Sequence, residues 1–201
     1  CLEADVMTIV FFDYETGGLT PQHPNIQLAA IAVEIESWRE VGTFERKIQF
    51  DEADADQEAL KMNHYSREVW EREAVPSAVA HADFAAFLKR HADVQMISKR
   101  TGAPYRVARI AGYNAATFDG PRLKDEFAKV GAFLPAHPFV MDALHWAAWD
   151  LQLRGVKLDN LKLGTVYQHF IGEAPGDAAH DALHDVRSTI AVVRSLGKDV
   201  R

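Results

Sequence analysis

The sequence predicts an α/β fold: a mixed five-stranded sheet flanked by helices. Three observations predict it. Three strand-like segments follow one another near the N-terminus, joined by short links. Strands and helices then alternate toward the C-terminus, in the order βββ-α-β-α-β-α. The chain is 201 residues long, 48% apolar and 25% charged, which suits one compact domain with a real core.

The first strand is the apolar run over 8–12 (TIVFF), and the second spans 26–36, rich in small and branched side chains. In 42–50, Phe44, Ile48 and Phe50 share one parity while Glu45, Lys47 and Gln49 take the other, the pattern of a half-exposed strand. Short links between the three predict an antiparallel meander. Short helices are predicted over 56–63 and 66–73. A longer one over 76–91 places Val79, Phe84, Phe87 and Leu88 on one side. Residues 93–109 are less regular; with Lys99, Arg100, Arg106 and Arg109 around Gly102 and Pro104, they read as a solvated surface loop or a basic substrate-contacting one. Strand character returns over 107–113.

Asp119, followed by Gly120-Pro121, reads as a helix N-cap with proline in the first turn. That helix runs through Leu123, Phe127 and Val130 and stops at Gly131. The fifth strand is predicted over 138–141. Helices follow over 142–153 and 160–170, the latter capped by Asp159. Trp146, Trp149 and Leu153 in the first of these belong to a core or to an interface. The last helix spans 178–196 and ends at Gly197, with Ala182, Leu183, Val186, Ile190, Val193 and Leu196 as its apolar stripe.

Bulk composition narrows the function. No apolar run is long enough to span a bilayer. The N-terminus lacks the basic, apolar and small-residue order of a secretory signal. The single cysteine, Cys1, can form neither an internal disulfide nor a thiolate metal site. These features predict a cytoplasmic protein with no membrane contact. Residues 1–6 precede the first strand and read as an N-terminal remnant or linker. A formal net charge of −7 argues against gripping long nucleic acid by bulk electrostatics. It is compatible with an acidic cluster whose bound ions reverse the local sign.

Five residues in three segments carry the chemistry: Asp13 and Glu15 in FFDYETGG, Asp119 in GYNAATFDG, and His180 with Asp185 in HDALHDV. Residues two apart on a strand share a face, so Asp13 and Glu15 stand side by side. They repel each other unless a cation lies between them. Gly17-Gly18 allows a tight turn behind them. Asp185 lies beside the apolar stripe of its helix and needs a partner or a metal. His180, one turn earlier, reaches the same cleft. Together these side chains suit a divalent-metal site with a general base, the equipment for cutting phosphodiester bonds. Each has a plainer reading: a solvated strand end, a helix N-cap, a surface histidine at a helix start. His180 and His184 at i and i+4 also echo the H-E-x-x-H zinc pair, but no third ligand stands at a familiar spacing and three carboxylates are left unexplained.

In that order, FFDYETGG, GYNAATFD and HDALHD resemble the three motifs of the DEDD superfamily of 3′–5′ exonucleases, histidine subclass. The three residues between Asn114 and Phe118 make the nuclease domain of the bacterial exonuclease I group the nearest likeness, from Ile9 to about Leu196. The resemblance implies a ribonuclease H-like fold and an exonuclease domain over 7–201. It implies two Mg²⁺ or Mn²⁺ ions: Asp13 bridging both, Glu15 and Asp185 completing one site, Asp119 supporting the other, and His180 as general base. Tyr14, Thr16, Asn114 and Phe118 fall at positions suited to the terminal nucleotide or, equally, to local packing and turns. The implied substrate is the 3′ end of single-stranded DNA, with nucleoside 5′-monophosphates as products. A proofreading-type exonuclease or exoribonuclease is the alternative within the class; a catalytically silent module binding nucleic acid or a polymerase is the alternative outside it. Exonuclease I carries further domains after its nuclease domain.

Overall fold

The structure, a computed structural model, describes residues 7–174 and 181–198. Strand β1 (Thr8–Thr16) lies at the centre, with Ile9, Val10, Phe11 and Phe12 all buried, so both of its faces are covered. It pairs antiparallel with β2 (Asn25–Glu34), which pairs antiparallel with β3 (Arg39–Lys47), completing the expected meander. On its other side β1 runs parallel to β5 (Pro104–Gly112), and β5 runs parallel to β6 (Ala136–Asp142).

The sheet has six strands rather than five. The additional one is β4 (Val94–Ile97), which pairs antiparallel with the first part of β5, from Val94 opposite Val107 to Ile97 opposite Pro104. The segment expected to be an irregular loop is therefore a hairpin. Its turn closes through Ser98 and Ala103 around Gly102, whose φ of 71° suits glycine. The hairpin tip is at the start of β5, roughly 26 Å along that strand from its C-terminal end.

Alternation along β1 sorts its side chains between two layers. Val10, Phe12 and Tyr14 face Phe84, Phe87 and Leu88 of α3 (Ser77–Arg90) and Leu123 and Phe127 of α4 (Asp119–Lys129). Ile9 and Phe11 face Val186 and Ile190 of α7 (Ala182–Lys198). Two short helices, α1 (Gln57–Met62) and α2 (Arg67–Glu73), fall where expected, α2 placing Trp70 against Ile26 and Leu60. Helices α5 (Ala143–Leu153) and α6 (Leu163–Ile171) pack on α7 through Ala147, Val166, Val192 and Leu196.

Local details differ from the sequence expectations. On α3 the inward side includes His81 and excludes Val79, which is exposed. Asp119 is the first helical residue of α4 rather than its cap; the cap position is Phe118, which makes no side-chain cap bond. The helix stops as expected, with Gly131 at φ 67°. Asn160, not Asp159, accepts the Lys162 N–H at the start of α6. Helix α7 does not end at Gly197 but continues to Lys198. Trp149 and Leu153 are 68% and 82% exposed, which removes them from the core.

Candidate active site

Strands β1 and β5 run parallel side by side, and the chain leaves them in opposite directions: β1 turns back into β2, while β5 leads through α4 to β6. Such a switch point opens a crevice at the carboxyl ends of the strands, the usual ligand site of an open α/β sheet. Asp13 and Glu15 continue the parity of Ile9 and Phe11, so they emerge on the α7 side of the sheet. Asp185, in the first turn of α7, meets them there. Candidate ligand oxygens of Asp13, Glu15 and Asp185 all lie within 4.8 Å of one another. Among the described residues this is the one group of histidine, cysteine and acidic side chains able to hold a metal ion, and His184 is not part of it. His180 lies outside the described residues.

Asp119 enters from α4 and is only 2% exposed. Its Oδ1 accepts the backbone N–H of Tyr14 at 3.3 Å, which ties the helix start to the strand carrying Asp13 and Glu15. The concentration of negative charge is costly without a counter-ion. Burial raises the Asp13 carboxyl well above its ordinary range, and repulsion from Asp119, Glu15, Asp185 and Asp181 adds to this. Burial, then Asp185, Asp181 and Asp119, lift Glu15 to about 8. Burial likewise lifts Asp119 to about 7, although the Tyr14 N–H, its own N–H and the Arg122 charge all favour the ionised form. A set of hard oxygen donors that resists ionisation by itself fits a divalent cation.

Beside the carboxylates lies a cleft of about 680 Å³, with Glu15, Thr16, Gly18, Leu19, Asn63 and Phe118 in its lining. Thr16 is held in place: its hydroxyl donates to the Gly18 carbonyl at 2.8 Å, and its carbonyl accepts from Asn63 Nδ2 at 2.9 Å. Phe118 is half-buried and carries the Arg122 guanidinium 4.6 Å from its ring centre. Tyr14 borders the same cleft, but its ring faces the α3 layer, and its hydroxyl lies 2.7 Å from Nε2 of buried His81. His81 Nδ1 faces the Ser77 carbonyl at 2.7 Å, so the imidazole donates there and accepts from Tyr14. Burial keeps His81 below its ordinary pKa and therefore neutral in this role. Asn114 shapes the turn after β5: its φ is 57°, its N–H donates to Asp142 Oδ1 at 3.1 Å, and its side-chain oxygen accepts from Thr117 at 2.6 Å.

Four residues that support the site were not singled out from sequence: Asn63, His81, Arg122 and Asp142. Asp142 carried a signal, since an acid between a strand and a helix is a typical N-cap. It accepts the Leu144 N–H at 2.9 Å as the cap of α5, as well as the N–H groups of Asn114 and Ala116.

No protein-family model matches the chain, and no curated protein matches it by sequence. Solved structures do. A structure of exonuclease I superposes with a TM-score of 0.73 at 19% identity, covering 96% of this chain and 41% of that one. The chain has the fold of the nuclease domain of exonuclease I. Escherichia coli exonuclease I in complex with a dT13 oligonucleotide matches with a TM-score of 0.70 at 20% identity, over 94% of this chain and 40% of that one. The zinc-bound E. coli exonuclease I complex with single-stranded DNA matches with a TM-score of 0.71 at 19% identity, over 96% and 41%. The chain thus spans about two fifths of the length of these exonuclease I chains. Identities this low speak for the fold alone. Among the described residues, no helix is long and apolar enough to cross a membrane.

Proposed function

We propose that this chain is a metal-dependent 3′–5′ exonuclease that releases nucleoside 5′-monophosphates from single-stranded DNA. The observation that carries the reading is the convergence of Asp13, Glu15 and Asp185 within 4.8 Å, although Glu15 and Asp185 lie 170 residues apart in sequence. Asp119 stands beside them at the switch point of the sheet. The likeness to exonuclease I structures solved with oligonucleotides supports the choice of a single strand as substrate.

Asp13, Glu15 and Asp185 would hold the divalent ions, two Mg²⁺ or Mn²⁺, with Asp119 supporting them. Bound there, such ions would supply a water of lowered pKa and stabilisation of the leaving 3′ oxygen. His180 takes the proton from that water, a role that suits a side chain titrating near neutrality. Thr16, Phe118 and the walls of the 680 Å³ cleft orient the terminal nucleotide. The Tyr14 backbone N–H keeps Asp119 in place, and the Tyr14–His81 pair keeps the strand end from shifting.

The test is product analysis on 5′-labelled oligonucleotides: single-stranded DNA, duplex DNA and RNA, each with Mg²⁺, Mn²⁺ or EDTA. A ladder shortening from the 3′ end of single-stranded DNA, abolished by EDTA, is the expected result. Preference for RNA would move the assignment to an exoribonuclease. A folded chain that binds Mn²⁺ and an oligonucleotide without cleaving it would make it a binding module.

A further inference from the structure

We infer that Arg122 is a positioning residue: it fastens the cleft wall formed by the β1–β2 loop to the helix that carries Asp119, and so sets the affinity for the substrate strand. The inference rests on the exonuclease reading for its kinetic consequence, but not for its structural content.

Arg122 lies one turn after Asp119 on α4 and is only 7% exposed. A buried guanidinium requires acceptors for its N–H groups, because it remains charged. All of those found for its two terminal nitrogens come from one neighbourhood about a hundred residues away. Nη1 donates to the His23 carbonyl and to Asn25 Oδ1, each at 3.2 Å. Nη2 donates to the Thr20 carbonyl at 2.7 Å, with the Gly18 and Leu19 carbonyls at 3.4 Å. The Phe118 ring closes one face of the guanidinium.

The loop held in this way is the one that follows Glu15. Gly18 and Leu19 line the cleft, and so does Phe118. The loop has ties of its own: the Thr16 hydroxyl donates to the Gly18 carbonyl at 2.8 Å, Gly17 N–H to the Pro24 carbonyl at its neck, and His23 N–H to the Thr20 carbonyl inside it. Beyond these, His23 Nδ1 takes the Thr20 N–H at 3.2 Å, and Asp56 N–H reaches the Gly17 carbonyl. Among the described residues, Arg122 is the one side chain that joins three consecutive loop carbonyls, Gly18 to Thr20, to α4. Only a planar fork reaches acceptors on both sides at once; a lysine has the charge without that geometry.

The consequence is a separation of effects. The three converging carboxylates, Asp13, Glu15 and Asp185, are carried by β1 and α7, whereas Arg122 shares α4 with Asp119, whose ionised form its charge favours. Loosening the loop should weaken strand binding while the metal-holding groups stay in place. The test uses the full chain with Arg122→Lys and Arg122→Met, measuring kcat and KM on a single-stranded oligonucleotide with Mg²⁺, Mn²⁺ affinity by calorimetry, and amide hydrogen exchange. Both variants are expected to raise KM roughly 10-fold and to keep kcat within about threefold. Mn²⁺ affinity should be unchanged in Arg122→Lys, which keeps the positive charge near Asp119, and in both variants exchange should accelerate at Gly17 and His23 but not along β2. Wild-type KM in Arg122→Lys, a fall in kcat at constant KM, or unaltered loop exchange would each overturn the inference. If Arg122→Met does not fold, Asn25→Ala removes one acceptor and should shift KM and loop exchange in the same direction by less; no shift overturns the inference. If the wild-type chain cleaves nothing, the exonuclease reading fails, and loop exchange together with oligonucleotide affinity in Ca²⁺ still decides the clamp.

Discussion

The backbone N–H of Tyr14 donates to Oδ1 of Asp119 at 3.3 Å, although 105 residues separate the two in sequence. This bond links the strand that carries Asp13 and Glu15 to the helix that carries the fourth carboxylate. It also separates two roles of Asp119. Asp119→Asn keeps an oxygen that can accept the Tyr14 N–H, but removes the negative charge. Cleavage is expected to fall on the order of 100-fold or more with the melting temperature little changed. Asp119→Ala removes the acceptor as well and leaves a buried N–H without a partner, costing about 1–3 kcal/mol in denaturant unfolding. Equal stability losses in the two variants would deny the bond its structural role.

The metal-free chain should become less stable as pH rises. Glu15 titrates near 8 in the folded protein against an ordinary value of 4.5, and Asp119 near 7 against 3.8. Between those values the native state binds more protons than the unfolded one, so the unfolding free energy falls with pH. The contribution is fully present below about pH 4 and is lost by about pH 8. Divalent ions reverse the trend, because they favour the ionised carboxylates. Thermal melts in EDTA from pH 5 to pH 8 should show a declining midpoint, and the rise on adding Mn²⁺ should be larger at pH 8 than at pH 5. A metal effect that is larger at the acidic end would count against the carboxylates as the binding groups.

Much of this site could be read from the alternation of one strand. Ile9, Phe11, Asp13 and Glu15 share a parity, so the acids were bound to emerge on the face that Ile9 and Phe11 use, under the last helix. The same alternation turns the Tyr14 ring to the opposite layer, where His81 meets its hydroxyl. Strand β4 was not legible: four residues, half-buried and next to Lys99 and Arg100, look like a loop until β5 supplies their hydrogen-bond partners. Arg122 left no local signal at all. Its acceptors are backbone carbonyls at 18, 19, 20 and 23 and the Asn25 side chain, and only the tertiary fold brings them to α4.

Asp142 is expected to matter more for stability than its place at a strand end suggests. Its carboxylate accepts N–H groups from Asn114, Ala116 and Leu144, and so joins the turn after β5 to the start of α5. Asn114 sits in the left-handed region at φ 57°, a conformation the turn must hold against its intrinsic cost. Asp142→Ala removes the helix cap and two turn acceptors together, and should lower stability by about 2–3 kcal/mol. Asp142→Asn retains one acceptor oxygen and should lose less. Denaturant midpoints for both variants check this order.

Gly112, the last residue of β5, lies tight against β1 behind the site. A Cβ placed on it would come within 2.7 Å of the Phe12 carbonyl oxygen and of the Ala115 Cβ. Neither neighbour is the end of a flexible side chain. Phe12 immediately precedes Asp13, and Ala115 belongs to the turn that leads to Asp119. Gly112→Ala must therefore push β1 and this turn apart, at a cost of roughly 1–3 kcal/mol. Because the strain falls between the elements bearing Asp13 and Asp119, Mn²⁺ affinity should drop along with the melting temperature. Gly102→Ala serves as the contrast: it too needs an unfavourable backbone at φ 71°, but nothing lies within 4 Å of its Cβ and the hairpin tip is at the far end of β5. It should cost stability and leave Mn²⁺ affinity alone. Loss of affinity in both variants would mean that global destabilisation, rather than the spacing of β1 and the turn, governs the metal site.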